Sequence, residues 1–147
     1  MESEPPIATV LIVCLGNICR SPMGEAILGA AAKKRGLNIV VDSCGTAAQT
    51  LAQHKIPISH HSRKLTRYCS SDFTEFTHIL ASDANNLRDI KRVMPDNSTA
   101  DIRLWGSYLD GKSIPDPWYG GLSGFESTFE QCTALSNAFL DHLEKSG

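Results

Sequence analysis

A surplus of basic residues is missing: 14 Lys and Arg stand against 16 Asp and Glu among 147 residues, a net charge of −2. Nucleic-acid binding usually rests on clustered positive charge, so no nucleic-acid partner is expected. No apolar run approaches the ~20 residues of a membrane-spanning helix. The opening Met1-Glu2-Ser3-Glu4-Pro5-Pro6 is acidic where a secretory signal begins positive, so a cytoplasmic protein with no membrane partner is expected. Cys14, Cys19, Cys44, Cys69 and Cys132 form no C-x2-C pair and no Cys/His ligand spacing, and their number is odd. Neither a disulfide framework nor a structural zinc is expected. His54, His61, His78 and His142 are scattered and read as surface or internally satisfied residues. No linker, repeat or low-complexity segment divides the chain. It reads as one domain, 1–147, with a flexible start over 1–7, and its 41% hydrophobic content suffices for a core without staples.

Against that plain background one stretch stands out. Val10-Leu11-Ile12-Val13 reads as a short buried strand, and a loop follows from Cys14 through Leu15, Gly16, Asn17, Ile18 and Cys19 to Arg20. Ser21 and Pro22 then read as an N-cap and a first helical residue. A loop at a helix N-terminus directs backbone N–H groups inward, and the helix dipole adds positive potential, so it suits an anion. Cys14 and Arg20 stand in that cradle at a C-x5-R spacing. The surroundings should pull the thiol below its free value of ~8.5, toward the ~3.5–7.5 of activated cysteines. Arg20 is suited to gripping two phosphate oxygens side by side, which a lysine's point charge does not do. Ser21 is placed to hydrogen-bond the sulfur.

The helix should run from Pro22 to about Arg35, with Met23, Ala26, Ile27, Ala30 and Ala31 on its apolar face and Gly36 closing it. Ile39-Val40-Val41 is the next strand, ending in a polar turn, Asp42-Ser43-Cys44-Gly45-Thr46. Strand, helix, strand makes a βαβ unit and predicts a parallel sheet. Ala47–His54 holds at most two helical turns, and Ser59–Thr66 reads as a loop. A short helix over Asp72–Phe76 precedes a third strand, His78–Ala81. A helix from Ala84 to Met94 follows, with Leu87, Ile90 and Met94 on one face. Ile102–Trp105 is the fourth strand. After a long loop from Gly106 to Gly121, Ser123 and Glu126 suggest a capping box opening a last helix. That helix should bury Phe125, Phe129, Cys132, Leu135 and Phe139. The fold class is α/β.

The run Val-Cys-Leu-Gly-Asn-Ile-Cys-Arg-Ser-Pro at 13–22, with Asp116-Pro117-Trp118-Tyr119-Gly120 far downstream, resembles the low-molecular-weight protein tyrosine phosphatases. Val41-Asp42-Ser43, Ile56-Pro57-Ile58-Ser59-His60 and Asn86-Leu87-Arg88-Asp89 resemble family segments in family order. The resemblance implies a four-stranded parallel sheet with helices on both faces and the phosphate loop after the first strand. It implies that Cys14 is the nucleophile, that Arg20 binds phosphate and that Asp116 protonates the leaving phenol. Asn17 would be held in a strained conformation by Ser21, Ser43 and His60. Leu15, Ile18, Trp118 and Tyr119 would line the slot for a phosphotyrosine ring. The implied partners are phosphotyrosine proteins as substrates, with no cofactor and no metal.

Two other functions compete. A thiol-linked arsenate reductase shares the anion loop but needs further cysteines in sequence, and Cys69 and Cys132 are far apart. A phosphate-binding protein without turnover is the other. It draws support from the stretch after Thr46, which lacks the aromatic, glycine and Asp-x-Arg usual in the family. A shorter wall there should leave the slot open to water and weaken its electrostatics. Restoring an aromatic-bearing segment of family length between Ala47 and Leu51 is expected to raise kcat/KM for phosphotyrosine peptides; an unchanged value would show that this stretch is not limiting.

Overall fold

The computed structural model describes residues 5–14, 20–45, 71–115 and 121–146. Strand β1 (Ala8–Cys14) carries Val10, Leu11, Ile12 and Val13, all fully buried. Successive strand side chains point to opposite faces, so an unbroken apolar run is satisfied only where both faces are covered. Val10 and Ile12 belong to one core with Leu28, Ala32, Leu135 and Phe139. Leu11 and Val13 belong to a second with Phe73, Ile79, Ala81 and Ile90.

The remaining elements are α1 (Arg20–Lys34), β2 (Ile39–Gly45), α2 (Asp72–Glu75), β3 (His78–Ala81), α3 (Ala84–Val93), β4 (Asp101–Leu104), a 3-10 turn at Trp105–Tyr108, and α4 (Gly121–Ser146). The strands form one sheet in the order β2-β1-β3-β4, and every pairing is parallel. Helices α1 and α4 supply the first core, α2 and α3 the second. The expected α/β fold, with helices on both faces of a four-stranded sheet, is therefore borne out.

Element ends and helix faces depart from the sequence pattern. Strand β2 continues through Asp42-Ser43-Cys44-Gly45, expected as a turn, because these residues pair in register with Leu11 to Cys14. Helix α1 starts at Arg20, so Ser21 lies inside its first turn instead of capping it. The residues α1 buries deepest are Gly24, Leu28 and Ala32, at i, i+4 and i+8, while Ala26 and Ala30 face solvent. Ile27 and Ala31 pack at the margin of the core, partly as expected. The helix closes as read from the sequence: Gly36 has φ 72°, its N–H reaches Lys33 O at 3.1 Å and Leu37 N–H reaches Ala32 O at 2.9 Å. Those two bonds make a Schellman closure, which requires a left-handed residue at Gly36.

Helix α3 stops at Val93, and Met94, expected on its apolar face, is 43% exposed. Strand β4 is shifted one residue earlier than expected, and Trp105 turns instead into the core. Helix α4 begins at Gly121, so Ser123 falls within its first turn and does not precede it. Its buried stripe is Thr128, Cys132, Leu135, Ser136, Phe139 and Leu140. Phe129, expected inside, sits at the edge of that stripe and is 56% exposed. The side chain of Phe125 and the elements read in 47–54 and 59–66 lie outside the described residues. His78 Nδ1 lies 2.7 Å from Thr77 Oγ1 and its ring meets Phe139 edge-on with centroids 5.1 Å apart, the ring of His142 meets Tyr108 at 5.0 Å, and His54 and His61 lie outside the described residues.

Gly24 is where α1 lies against the buried indole of Trp105. A Cβ added there would lie 2.7 Å from Trp105 Cζ3 and 3.1 Å from Cη2, and that indole is wholly buried. Gly24→Ala is expected to lose about 1–3 kcal/mol in urea unfolding through overpacking, less the helix-propensity gain. Gly29, with nothing within 4 Å of the same added atom, is the control, and Gly29→Ala should gain up to ~1 kcal/mol. Equal effects at the two glycines would contradict the packing account.

Candidate active site

Strands β1 and β3 end side by side, Val13 opposite Ala81. The chain then places Cys14 on one strand end and Ser82-Asp83 on the other. Ligand sites in open α/β sheets gather at such carboxyl ends. Cys14 is buried, and the first turn of α1 brings Ser21 Oγ to 3.0 Å from its Sγ. Ser21 Oγ also lies 3.3 Å from Cys44 O on β2. A Cys14 thiol can donate to Oγ while the Ser21 O–H goes to Cys44 O, whereas a thiolate only accepts and so competes with that carbonyl for the one serine proton.

Arg20 is only 4% exposed. A buried guanidinium is tolerated when its charge and its N–H groups are answered. Nη1 donates to Asp83 Oδ2 at 2.6 Å and to Ile114 O at 3.0 Å. These two bonds use both Nη1 hydrogens, so the Nε–Nη2 edge is the one suited to fork onto an oxyanion.

Asp83 was not singled out by sequence reading, and it holds two positions at once. Its Oδ1 accepts the Asn86 N–H at 2.8 Å as the N-cap of α3, while Oδ2 takes Arg20. The cap was legible, since an Asp directly ahead of a helical pattern is a standard start signal; the ion pair, across 63 residues of sequence, was not. Glu25 was missed as well. Its Oε1 accepts the Ser43 hydroxyl at 2.5 Å, tying α1 to β2 one turn beyond Ser21. The backbone N–H of Ser43 donates to Asp42 Oδ1 at 2.8 Å.

Of the residues read from sequence, Cys14, Arg20 and Ser21 therefore come together at one strand end, with Ser43 buried on the neighbouring strand. Leu15, Gly16, Asn17, Ile18, Cys19, His60, Asp116, Trp118 and Tyr119 lie outside the described residues. Ile114, two positions ahead of Asp116 in sequence, is anchored from both sides: its N–H reaches Ser82 O at 2.8 Å and its carbonyl takes Arg20. Among the described residues no group of three His, Cys, Asp or Glu is arranged to hold a metal ion.

Residues 9–147 match the sequence model of the low molecular weight phosphotyrosine protein phosphatases. The chain belongs to that family. The low molecular weight phosphotyrosine protein phosphatase of Schizosaccharomyces pombe is 41% identical over 152 residues, spanning 91% of this chain and 96% of that one. A solved low-molecular-weight phosphotyrosine phosphatase from Vibrio cholerae O395 superposes with a TM-score of 0.80 at 30% identity, over 95% of this chain and 99% of the other. The arginine phosphatase of Drosophila superposes at 0.75 with 34% identity, over 90% and 96% of the two chains.

In this family member the Arg20–Asp83 pair makes a testable demand. Asp83→Asn keeps a side-chain acceptor for the α3 cap but removes the charge facing Arg20. It should lower kcat/KM on aryl phosphates by roughly tenfold or more through misplacement of the guanidinium. Inorganic phosphate should then raise the variant's Tm by more than it raises the parent's, because the added anion replaces the missing one. Parent-like kinetics together with an equal phosphate shift would show that the pair does not position Arg20.

Proposed function

We propose that this chain hydrolyses phosphotyrosine in proteins, and small aryl phosphates, through a cysteinyl-phosphate intermediate. The observation that carries the reading is the Cys14–Ser21 contact at 3.0 Å beside a buried Arg20 whose Nη1 is already held by the protein. A nucleophile, a hydroxyl to receive it as it leaves, and a fork for two phosphate oxygens make a set that neither packing nor salt bridging requires.

The chemistry is two in-line displacements. Cys14 Sγ forms a bond to phosphorus as the bond to the tyrosine oxygen breaks, and Asp116 as the acid delivers its proton to that oxygen. Asp116, now a carboxylate, takes a proton from water; the water oxygen attacks phosphorus and the S–P bond breaks. The sulfur leaves with its electron pair, and Ser21 Oγ–H turns from Cys44 O toward it. Arg20 holds the equatorial oxygens through Nε and Nη2 during both steps, with the amides of 15–19 as the other donors. Pro117 stiffens the segment that presents Asp116. In this reading Ser21, Ser43 and His60 tie Asn17, and Leu15, Ile18, Trp118 and Tyr119 line the slot for the phosphotyrosine ring.

Thiol chemistry supports this reading over arsenate reduction. Cys132 is wholly buried, and burial pushes its thiol up to about 12, which makes it inert as a resolving nucleophile. An odd number of cysteines without the spacing of a disulfide framework suits a reducing compartment, and we assign the protein to the cytoplasm on that ground. No helix among the described residues is long and apolar enough to cross a membrane. Because an arginine phosphatase is among its structural relatives, phosphoarginine is the competing substrate class.

Purified chain should release phosphate from p-nitrophenyl phosphate and from a phosphotyrosine peptide faster than from a phosphoarginine peptide. Cys14→Ser should abolish turnover with the fold intact, and Arg20→Lys should be severely impaired because charge without the fork is not enough. Asp116→Ala should slow phosphotyrosine hydrolysis by roughly a hundred- to ten-thousand-fold, with a smaller loss in kcat/KM for phenols that leave without a proton. Substantial turnover by Cys14→Ser would refute the mechanism, and a preference for phosphoarginine would move the substrate assignment.

A further inference from the structure

Ser82 lies at the carboxyl end of β3, beside the strand that ends in Cys14, and the proposed chemistry does not use it. It follows Ala81 at the end of β3 and is 1% exposed. Its backbone N–H reaches Val13 O at 2.9 Å, and its Oγ–H reaches the same oxygen at 2.7 Å. A carbonyl has two lone pairs, and here both are taken by one residue. The second bond matters because of what that carbonyl belongs to. It is half of the Val13–Cys14 peptide, which fixes the direction in which Cys14 leaves the strand. One donor leaves that peptide plane some freedom to tilt, and two donors at different angles remove it.

The same residue also faces the other way. Ser82 O accepts the Ile114 N–H at 2.8 Å, and Ile114 O accepts Arg20 Nη1 at 3.0 Å. Asp83, the next residue along, pairs with Arg20 at 2.6 Å. A closed circuit thus runs from the base of the nucleophile through Ser82 to the segment leading to Asp116, and back through the guanidinium.

We propose that Ser82 is a positioning residue: its buried hydroxyl, doubling the hydrogen bond to Val13 O, holds the Val13–Cys14 peptide so that Sγ is aligned for in-line attack on phosphorus. This rests on the phosphatase reading for its reaction, but the geometry it invokes lies wholly in the protein. Ser82→Ala deletes one of two bonds to Val13 O and leaves that oxygen paired through the N–H, so the fold is kept. Kinetic consequences follow because near-attack alignment is steep in distance and angle.

The test compares Ser82→Ala, Ser82→Cys and Ser82→Thr with the parent. Cysteine fills the space with a weak donor, and threonine keeps the hydroxyl. We expect kcat/KM to fall roughly tenfold in the alanine and cysteine variants, by the same factor for good and poor phenol leaving groups, with threonine restoring most of it. The leaving-group pattern separates this role from that of Asp116, whose removal hurts poor leaving groups more. Inorganic phosphate as a competitive inhibitor should bind all variants within about twofold of the parent, since Arg20 keeps its partners. If the parent chain hydrolyses no aryl phosphate, the phosphatase reading fails by itself. Ser82 is then judged by the phosphate-protected alkylation of Cys14 with iodoacetate at fixed pH, which needs no turnover and should be several-fold slower in Ser82→Ala. Three results would each overturn the proposal: parent-like kcat/KM in the alanine variant, parallel loss of phosphate affinity, or equal alkylation rates.

Discussion

Taking the guanidinium of Arg20 out of water constrains much of what surrounds it. A buried cation without partners is among the costliest things a fold can contain, and removing one partner of a buried pair typically costs several kcal/mol. Here the charge is answered by Asp83 at 2.6 Å and by the carbonyl of Ile114 at 3.0 Å. Asp83 is in turn fixed as the cap of α3, and Ile114 is fastened to the end of β3 through Ser82. Two elements from distant parts of the chain are thereby held to the first turn of α1. The guanidinium is left with one edge pointed by the protein itself, which is the condition for binding an oxyanion in a single orientation.

The sheet makes this arrangement possible by bringing strand ends together. With β1 flanked by β2 and β3 in a parallel sheet, the residues just after each strand converge without any long-range design in the loops. Cys14 therefore reaches Cys44 O through Ser21 on one side, while on the other Ser82 holds the carbonyl of the preceding Val13. The apolar run of β1 is buried on both faces, so the strand that ends in Cys14 is held by both cores.

How much of this a reader of the sequence sees depends on range. The strand of β1, the helix after it, the Gly36 closure and the strand at His78 are local patterns, and each was legible because period and end signals act within a few residues. Cys14, Arg20 and Ser21 were legible for the same reason. What was lost depends on partners far away. The continuation of β2 through polar Asp42 and Ser43 is decided by pairing with β1, and the exposure of Phe129 by where the rest of the fold ends. The choice of Leu28 over Ala26 in α1 is decided by what lies against the helix. Asp83, Glu25 and Ser82 escaped because an N-cap, a helix glutamate and a strand-end serine look ordinary until the fold brings Arg20, Ser43 and Val13 beside them.

The central claim is that phosphate passes through the sulfur of Cys14. It is tested most directly by quenching the enzyme in acid during turnover of an aryl phosphate and mapping the phosphoryl group by mass spectrometry. A phosphoryl group on the peptide bearing Cys14, appearing within the first turnover and lost when substrate is exhausted, is what the account predicts. Steady turnover with the phosphoryl group on another residue, or direct transfer to water shown by inverted stereochemistry at phosphorus, would contradict it.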